Sequence, residues 1–294
     1  MDAHERLAER FEEHRPHLRA VAYRMLGSLG EAEDAVQDTW LRADRADTSD
    51  VENLGGWLTT VVGRVCLNML RARKNRREDP LETRFSDPAV GEESGDDPER
   101  EALTADSVGV ALLVVLDTLT PAERLSFVLH DMFAVPFDEI APMIERTPAA
   151  ARQLASRARR RVKGGTPAPA AGLARQREVV AAFLAATRGG NFDALVTLLH
   201  PDVVLHADKA VIPTPEPVLA RGGRTVARGA MAAVGRARFT GLALLDGSVG
   251  LAMAPFGRLA LVLDFTVVDG LITSIDVIAE RERLERLVVG VVEM

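Results

Sequence analysis

Apolar residues recur at helical spacing from the start of the chain. Leu7, Phe11 and His14 fall on one stripe, and a second run after Arg15-Pro16 aligns Leu18, Val21, Ala22, Met25 and Leu26. Gly27-Ser28-Leu29-Gly30 breaks the pattern. A third helix is predicted from about Glu31 to Arg45, with Ala32, Ala35, Val36, Trp40 and Leu41 apolar. Gly55-Gly56 then precedes a long fourth helix. Its stripe takes in Trp57, Leu58, Val61, Val65, Leu67, Met69 and Leu70, and it runs into a basic cluster at 71–77.

Residues 79–100 change character, with three prolines, two glycines and many acids, and read as a charged linker. Helical spacing returns at roughly 101–118. Thr120-Pro121 is a start signal, Thr as N-cap and Pro at the first helical position, and Thr147-Pro148 repeats it. A short helix is expected from Pro136. Two short helices before a basic third, 148–163, read as helix-turn-helix. Gly164-Gly165-Thr166-Pro167 opens a second linker. Beyond it the pattern mixes helices (173–188, 191–199 and 224–236) with strands (202–207, 241–254, 258–268 and 271–278). A Pro/Gly-rich loop is expected at 213–222, and Val267-Val268-Asp269-Gly270-Leu271-Ile272 carries a hairpin turn. Helices on an antiparallel sheet make an α+β domain. The charged segment 279–289 reads as a last helix.

Length bounds this picture: 294 residues suggest two or three domains. No apolar run approaches the roughly 20 residues of a membrane span, so no membrane partner is expected. The polar start Met1-Asp2-Ala3-His4 is unlike a secretory signal. Cys66 is the single cysteine, which excludes an intrachain disulfide and a cysteine-based zinc finger and fits a reducing cytoplasm. No metal or cofactor is implied. The net charge of −7 argues against nucleic acid until its distribution is seen. Residues 71–77 and 152–163 together hold 11 basic residues and no acid, whereas 78–106 hold 11 acids. Basic charge concentrated in two short stretches is a footprint for phosphate.

Three groups of residues carry a resemblance. Asp34-Ala35-Val36-Gln37-Asp38-Thr39-Trp40-Leu41-Arg42 resembles the polymerase-binding helix of bacterial sigma factors. Gly56-Trp57-Leu58-Thr59-Thr60-Val61-Val62, leading into Arg71–Arg77, resembles the adjoining helix that reads the −10 element. Leu119-Thr120-Pro121-Ala122-Glu123-Arg124, Phe127-Val128-Leu129-His130-Asp131 and Ala149–Ala158 resemble the region that reads the −35 element. The chain is similar to extracytoplasmic-function sigma factors with a fused C-terminal SnoaL-like domain, and His200-Pro201-Asp202-Val203 fits that tail. The resemblance implies a multidomain fold. Two all-α sigma domains, a helical bundle (1–78) and a helix-turn-helix module (101–163), are joined by the linker 79–100. The linker 164–171 leads to a cone-shaped α+β domain (172–294). The partners implied are core RNA polymerase and promoter DNA, with polymerase supplying all bond chemistry.

The residue chemistry agrees with these roles. Asp34, Gln37, Asp38 and Arg42 would flank Trp40 as a polar rim around an apolar anchor for a protein partner; Trp40 packed inside the bundle is the alternative. Trp57, Arg64, Asn68, Arg71, Arg73, Lys74, Arg76 and Arg77 would supply −10 contacts, combining basic backbone neutralisation with hydrogen-bonding side chains. Arg152, Gln153, Ser156 and Arg157 are candidate base-edge contacts at −35, with Arg159, Arg160 and Lys163 as phosphate contacts. A solvated basic face is the plain alternative for both helices. Cys66 reads as a small core residue.

Some segments depart from the family. Glu145 stands at the usual glycine of the helix-turn-helix turn, and Pro142 falls inside its first helix. An Asp-Gly-Gly-Gly-Lys signature is reduced to Ala207-Asp208-Lys209-Ala210, and an Asn-Pro-Asp-Lys-Leu signature becomes Glu280-Arg281-Glu282-Arg283-Leu284. Two rival functions are a DNA-binding regulator independent of polymerase and a sensor binding a small molecule in the tail. An enzymatic tail would draw on His200, Asp202, His206, Asp208 or Asp264.

Overall fold

The computed structural model describes residues 3–48, 51–75, 107–164, 170–211 and 216–292. They divide into two compact units, one drawn from 1–97 and 119–159, the other from 98–118 and 160–294.

Three helices begin the first unit: α1 (Ala3–Leu26), α2 (Leu29–Arg45) and α3 (Leu54–Asn75). The two runs expected on either side of Pro16 form one uninterrupted helix. Pro16 and Glu12 are both exposed, so the carbonyl that loses its donor at the proline faces water. The stripe Phe11, Leu18, Val21, Ala22 and Met25 is buried, and Leu7 ahead of it is half-buried. Small residues on α2 (Ala32, Ala35, Ala43) and on α3 (Cys66) let the three helices approach closely. Burial pushes the Cys66 thiol up to about 12, which leaves it an inert core residue.

The same unit continues with α5 (Pro121–Phe127), a π-helical turn (Val128–Met132), α6 (Phe137–Ile140), a 3-10 turn (Ala141–Met143) and α7 (Pro148–Val162), of which it takes the residues through Arg159. Both Thr-Pro start signals are realised. Thr120 and Glu123 form a reciprocal capping box, and the Thr147 hydroxyl accepts the Ala150 N–H at 3.2 Å. The turn departures are visible in the backbone: Pro142 sits in the 3-10 segment, and Glu145 adopts a left-handed φ of 55°. Gly63 on α3 makes room for this module, since a Cβ there would lie 3.2 Å from Leu129 Cδ1. Arg124 is 2% exposed and donates from Nε and an Nη to the Arg24 carbonyl, at 3.3 and 3.2 Å. A buried cation thus caps the C-terminal, carbonyl-rich end of α1.

The second unit is α+β, as the pattern predicts. Among the described residues its strands are β1 (Leu199–Ala207), β2 (Val218–Arg221), β3 (Thr240–Leu245), β4 (Ser248–Met253), β5 (Leu261–Val268), β6 (Leu271–Ile278) and β7 (Val289–Gly290). Their order is β2-β1-β6-β5-β4-β3-β7, and only β1–β6 is parallel. Helices α8 (Ala170–Arg188), α9 (Phe192–Leu198) and α10 (Gly223–Ala232) cover one face, followed by the short α11 (Val234–Ala237). The Asp269-Gly270 hairpin forms with both residues at positive φ.

Three expectations are corrected. The loop predicted at 213–222 contains β2, paired to β1. The strand predicted at 241–254 is two strands, because Asp246-Gly247 provides the same pair of positive φ angles as the other hairpin. The last helix shrinks to α12 (Arg281–Leu284), and Val289–Gly290 becomes an edge strand on β3. The Asp246 carboxylate fixes that turn-back by accepting the Val288 N–H at 2.9 Å.

The helix α4 (Ser107–Asp117), expected to open the helix-turn-helix module, belongs to this second unit. It is apolar nearly all round, the composition of a helix buried on several sides. Val110, Ala111 and Val114 pack in clusters with Ala243, Leu245, Ala252, Ala254 and Val262 of the sheet region. The end of α7 joins them. Gly164 closes the helix at φ 57°, the Val291 N–H donates to the Val162 carbonyl at 3.0 Å, and a Cβ on Gly164 would lie 2.7 Å from the Gly290 Cα.

Candidate functional site

Each candidate face is a polar stripe on a helix whose opposite side is buried. On α2, Asp34, Gln37, Leu41 and Arg42 are exposed, with Asp38 beside them, and Ala32, Ala35, Val36, Thr39 and Ala43 are buried behind. Trp40 combines the two readings open to it. It packs edge-on to Phe11, ring centroids 5.1 Å apart, and also lines a groove of about 450 Å³ with Ala8, Glu12, Arg15, Val36 and Gln37. Arg42 is tied to Asp38 at 2.9 Å, one turn away.

On α3, Trp57, Arg64, Asn68 and Arg71 follow one another at spacings of seven, four and three, which puts them on one stripe. Arg64, Asn68 and Arg71 are exposed, and Trp57 is half-buried. Arg73 lies on the other side of the helix and has a different partner: its Nη2 donates to both carboxylate oxygens of Glu31 on α2. Its guanidinium therefore closes the bundle. The Lys74 side chain and the whole of Arg76 and Arg77 lie outside the described residues.

On α7, the buried side is only Ala151, Ala155 and Ala158. Arg152, Gln153, Ser156, Arg157, Arg160 and Lys163 are all exposed. Arg159 is half-buried and its Nε donates to Asp131 at 2.5 Å. Arg152 lies over the Phe137 ring, 5.4 Å from its centroid. Helix α7 thus offers hydrogen-bonding and cationic groups along a face with no apolar interruption, as a groove reader needs.

The tail's titratable candidates fall into separate groups. His200 and Asp202 sit where the β1–β6 register shifts, and the Asp202 N–H donates to His200 Nδ1 at 3.1 Å. His206 and Asp264 both stand opposite Asp276, on the sheet face away from α8–α10. Burial, with Asp276 and Asp246 nearby, raises the Asp264 carboxyl above its ordinary value. Among the described residues, no three His, Cys, Asp or Glu side chains are grouped to hold a metal, and no helix is long and apolar enough to cross a membrane.

Asp208 has a structural use that the sequence pattern did not expose. Only 6% exposed, it accepts the N–H groups of Ala279 and Glu280 at 2.7 and 2.8 Å and that of Ala210 at 3.1 Å. The two altered signatures, 207–210 and 280–284, are therefore stapled together by one buried carboxylate. Arg124, Glu31 and Phe137 were also missed as partners, since nothing in helical spacing reveals contacts between distant segments.

Comparison with known proteins gives the following. The Sigma-70 region 2 family model matches residues 10–76, and the Sigma-70 region 4 model matches 109–162. The chain is 44% identical over 204 residues to the ECF RNA polymerase sigma factor SigJ of Mycobacterium tuberculosis, a match spanning 67% of this chain but only 64% of that protein. It is 36% identical over 214 residues to a probable ECF RNA polymerase sigma factor, SigI, of the same species, covering 72% of this chain and 74% of that one. A crystal structure of the M. tuberculosis extracytoplasmic function sigma factor SigJ aligns over 95% of this chain and 98% of the other, at 33% identity and a TM-score of 0.44.

Proposed function

Because the chain belongs to the extracytoplasmic-function RNA polymerase sigma factors, we propose that it binds core RNA polymerase and directs transcription from specific promoters. In this reading α2 docks on polymerase through Asp34, Gln37, Asp38, Trp40 and Arg42. The stripe Trp57, Arg64, Asn68 and Arg71, extended by Lys74, Arg76 and Arg77, holds the opened −10 strand. The exposed face of α7 reads the −35 duplex. Arg73 and Arg159 act at one remove, through Glu31 and Asp131. Polymerase supplies the chemistry, the site of action is the cytoplasm, and the chain is not itself an enzyme.

The observation that carries this reading is the set of three polar stripes on α2, α3 and α7, each on a rigid helix with a buried back. A catalytic pocket would instead gather a few convergent groups. The tail acts in cis on initiation, a role supported by the membership of α4 and the last turn of α7 in its compact unit. A small molecule bound by the tail would act through the same elements.

Core binding is the test. Purified core polymerase is mixed with the full chain and with an Asp34→Ala/Gln37→Ala/Asp38→Ala variant, then resolved by size. Co-elution of the native chain and its loss in the variant supports the assignment. Failure of the native chain to bind leaves a DNA-binding regulator that works without polymerase.

A further inference from the structure

The helix-turn-helix module contains an aromatic contact that its DNA-reading role does not by itself require. Phe137, the first residue of α6, is 8% exposed. The His130 ring stacks on it, with centroids 3.8 Å apart and planes 27° apart. His130 is itself fixed, because its Nδ1 donates to the Val135 carbonyl at 3.0 Å. A ring stacked that closely fills one face of Phe137. The Arg152 guanidinium also lies over this ring, its Cζ 5.4 Å from the centroid.

Two arginines of α7 are thus oriented from outside their own helix, in opposite chemical ways. Arg159 is held by a carboxylate, which neutralises it. Arg152 is held by a neutral ring, which orients it and leaves its charge and all five N–H donors available. An arginine free on a helix surface samples many rotamers, and ordering it against a base weakens each bidentate contact. A guanidinium already laid on a fixed ring loses less on binding.

We propose that Phe137, braced by His130, is a positioning residue for promoter recognition: it presents Arg152 to a guanine edge in the −35 major groove. The proposal rests on the reading of α7 as the −35 helix. It places part of the base preference in a residue that never touches DNA, on the helix before the reading helix.

The test uses holoenzyme reconstituted with the full chain and a promoter pool randomised through the −35 region, with bound and unbound fractions sequenced. Arg152→Ala should abolish the preference for guanine at one position and leave the others. Phe137→Leu should weaken the preference at that same position by about two- to fivefold, the range of an exposed cation–π contact. The salt dependence of binding should stay unchanged, because the arginine charge remains. Phe137→Tyr keeps the ring and should restore the preference, which separates orientation from folding. Arg152→Ala combined with Phe137→Leu should lose no more discrimination than Arg152→Ala alone.

A Phe137→Leu holoenzyme that binds all sequences more weakly with an unaltered base preference would overturn the proposal and leave Phe137 a core residue. So would additive losses in the double variant. If Arg152→Ala changes no base preference at any position, the assignment of Arg152 as a base reader fails first, and the positioning role falls with it.

Discussion

Helices α3 and α7 are both basic and both assigned to DNA, yet they are built on opposite plans. Helix α3 buries Leu58, Val62, Val65, Cys66 and Leu67 almost completely, so most of its circumference is core and a narrow stripe is left for function. Helix α7 buries only three alanines, leaves Leu154, Arg159 and Val162 half-buried, and exposes most of its polar and charged side chains. The first is a structural post with contacts added along one edge. The second is a polar, cationic surface held on by small residues that admit a close neighbour. Substitutions in α3 should therefore register as stability, and those in α7 as affinity and specificity.

The largest effect expected from this contrast is at Leu67. Leu67→Ala empties a site that is 1% exposed and should destabilise the first unit by about 2–5 kcal/mol, read by chemical denaturation followed through far-UV circular dichroism. An unfolding free energy within error of the native chain would mean that α3 is not a core post. Next comes Arg157→Ala on α7. It should cost −35 binding about 1–3 kcal/mol if Arg157 meets a base edge, with unfolding unchanged; an unaltered footprint would remove Arg157 from the reading face.

The arginines of α3 sharpen the comparison further. Arg71→Ala should lower the slope of log affinity against log salt by about one for opened promoter DNA. Arg73→Ala should leave that slope alone and show its effect in unfolding, through loss of the Glu31 pair. Equal salt slopes for the two variants would mean that Arg73 reaches phosphate after all. Smaller still is Asp38→Ala, which breaks an exposed one-turn ion pair and should cost stability about 0.3–0.5 kcal/mol while reducing polymerase binding.

The gentlest probe is pH. Burial, with His14 adding repulsion, lowers the His17 pKa below its ordinary 6.5. The Thr59 hydroxyl donates to the Gly55 carbonyl at 2.7 Å, so its oxygen accepts from His17 Nε2, and the neutral ring suffices for that bond. The unfolded chain then binds a proton that the folded one resists. Stability should fall as pH drops from about 6.5 through the lowered folded value. His17→Gln should flatten that part of the profile, and an unchanged slope would show that His17 does not govern it.

Most of the fold was legible, for reasons that differ between elements. Alternation at 3.6 residues revealed the cores of α1, α2, α3 and α7, and the Thr-Pro pairs marked two helix starts because capping is local chemistry. Pro16 misled because its cost depends on exposure, which a sequence does not state. Asp246-Gly247 escaped notice although it carries the same signal as Asp269-Gly270: apolar residues continue on both sides and mask the turn. Strand β7 was hidden for a deeper reason. Val289 and Gly290 are strand-like only because β3 offers them an edge. The placement of α4 on the sheet is of the same kind, since an all-round apolar helix declares that it is buried but not by what. At the candidate site, the exposed stripes followed from spacing, whereas the pairs Arg73–Glu31, Arg159–Asp131 and Arg152–Phe137 join segments far apart in sequence.

The meeting of Gly164 and Gly290 has a consequence for the order in which the molecule is made. The last turn of α7 leaves the ribosome more than a hundred residues before the strand that contacts it. At typical synthesis rates that interval is on the order of ten seconds. Throughout it, α7 exists without the backbone bond from Val291 or the sheet edge that receives β7. Each new molecule therefore passes through a period in which α7 is complete and the edge that holds its last turn is not, and synthesis of Val289–Val291 brings that period to a close.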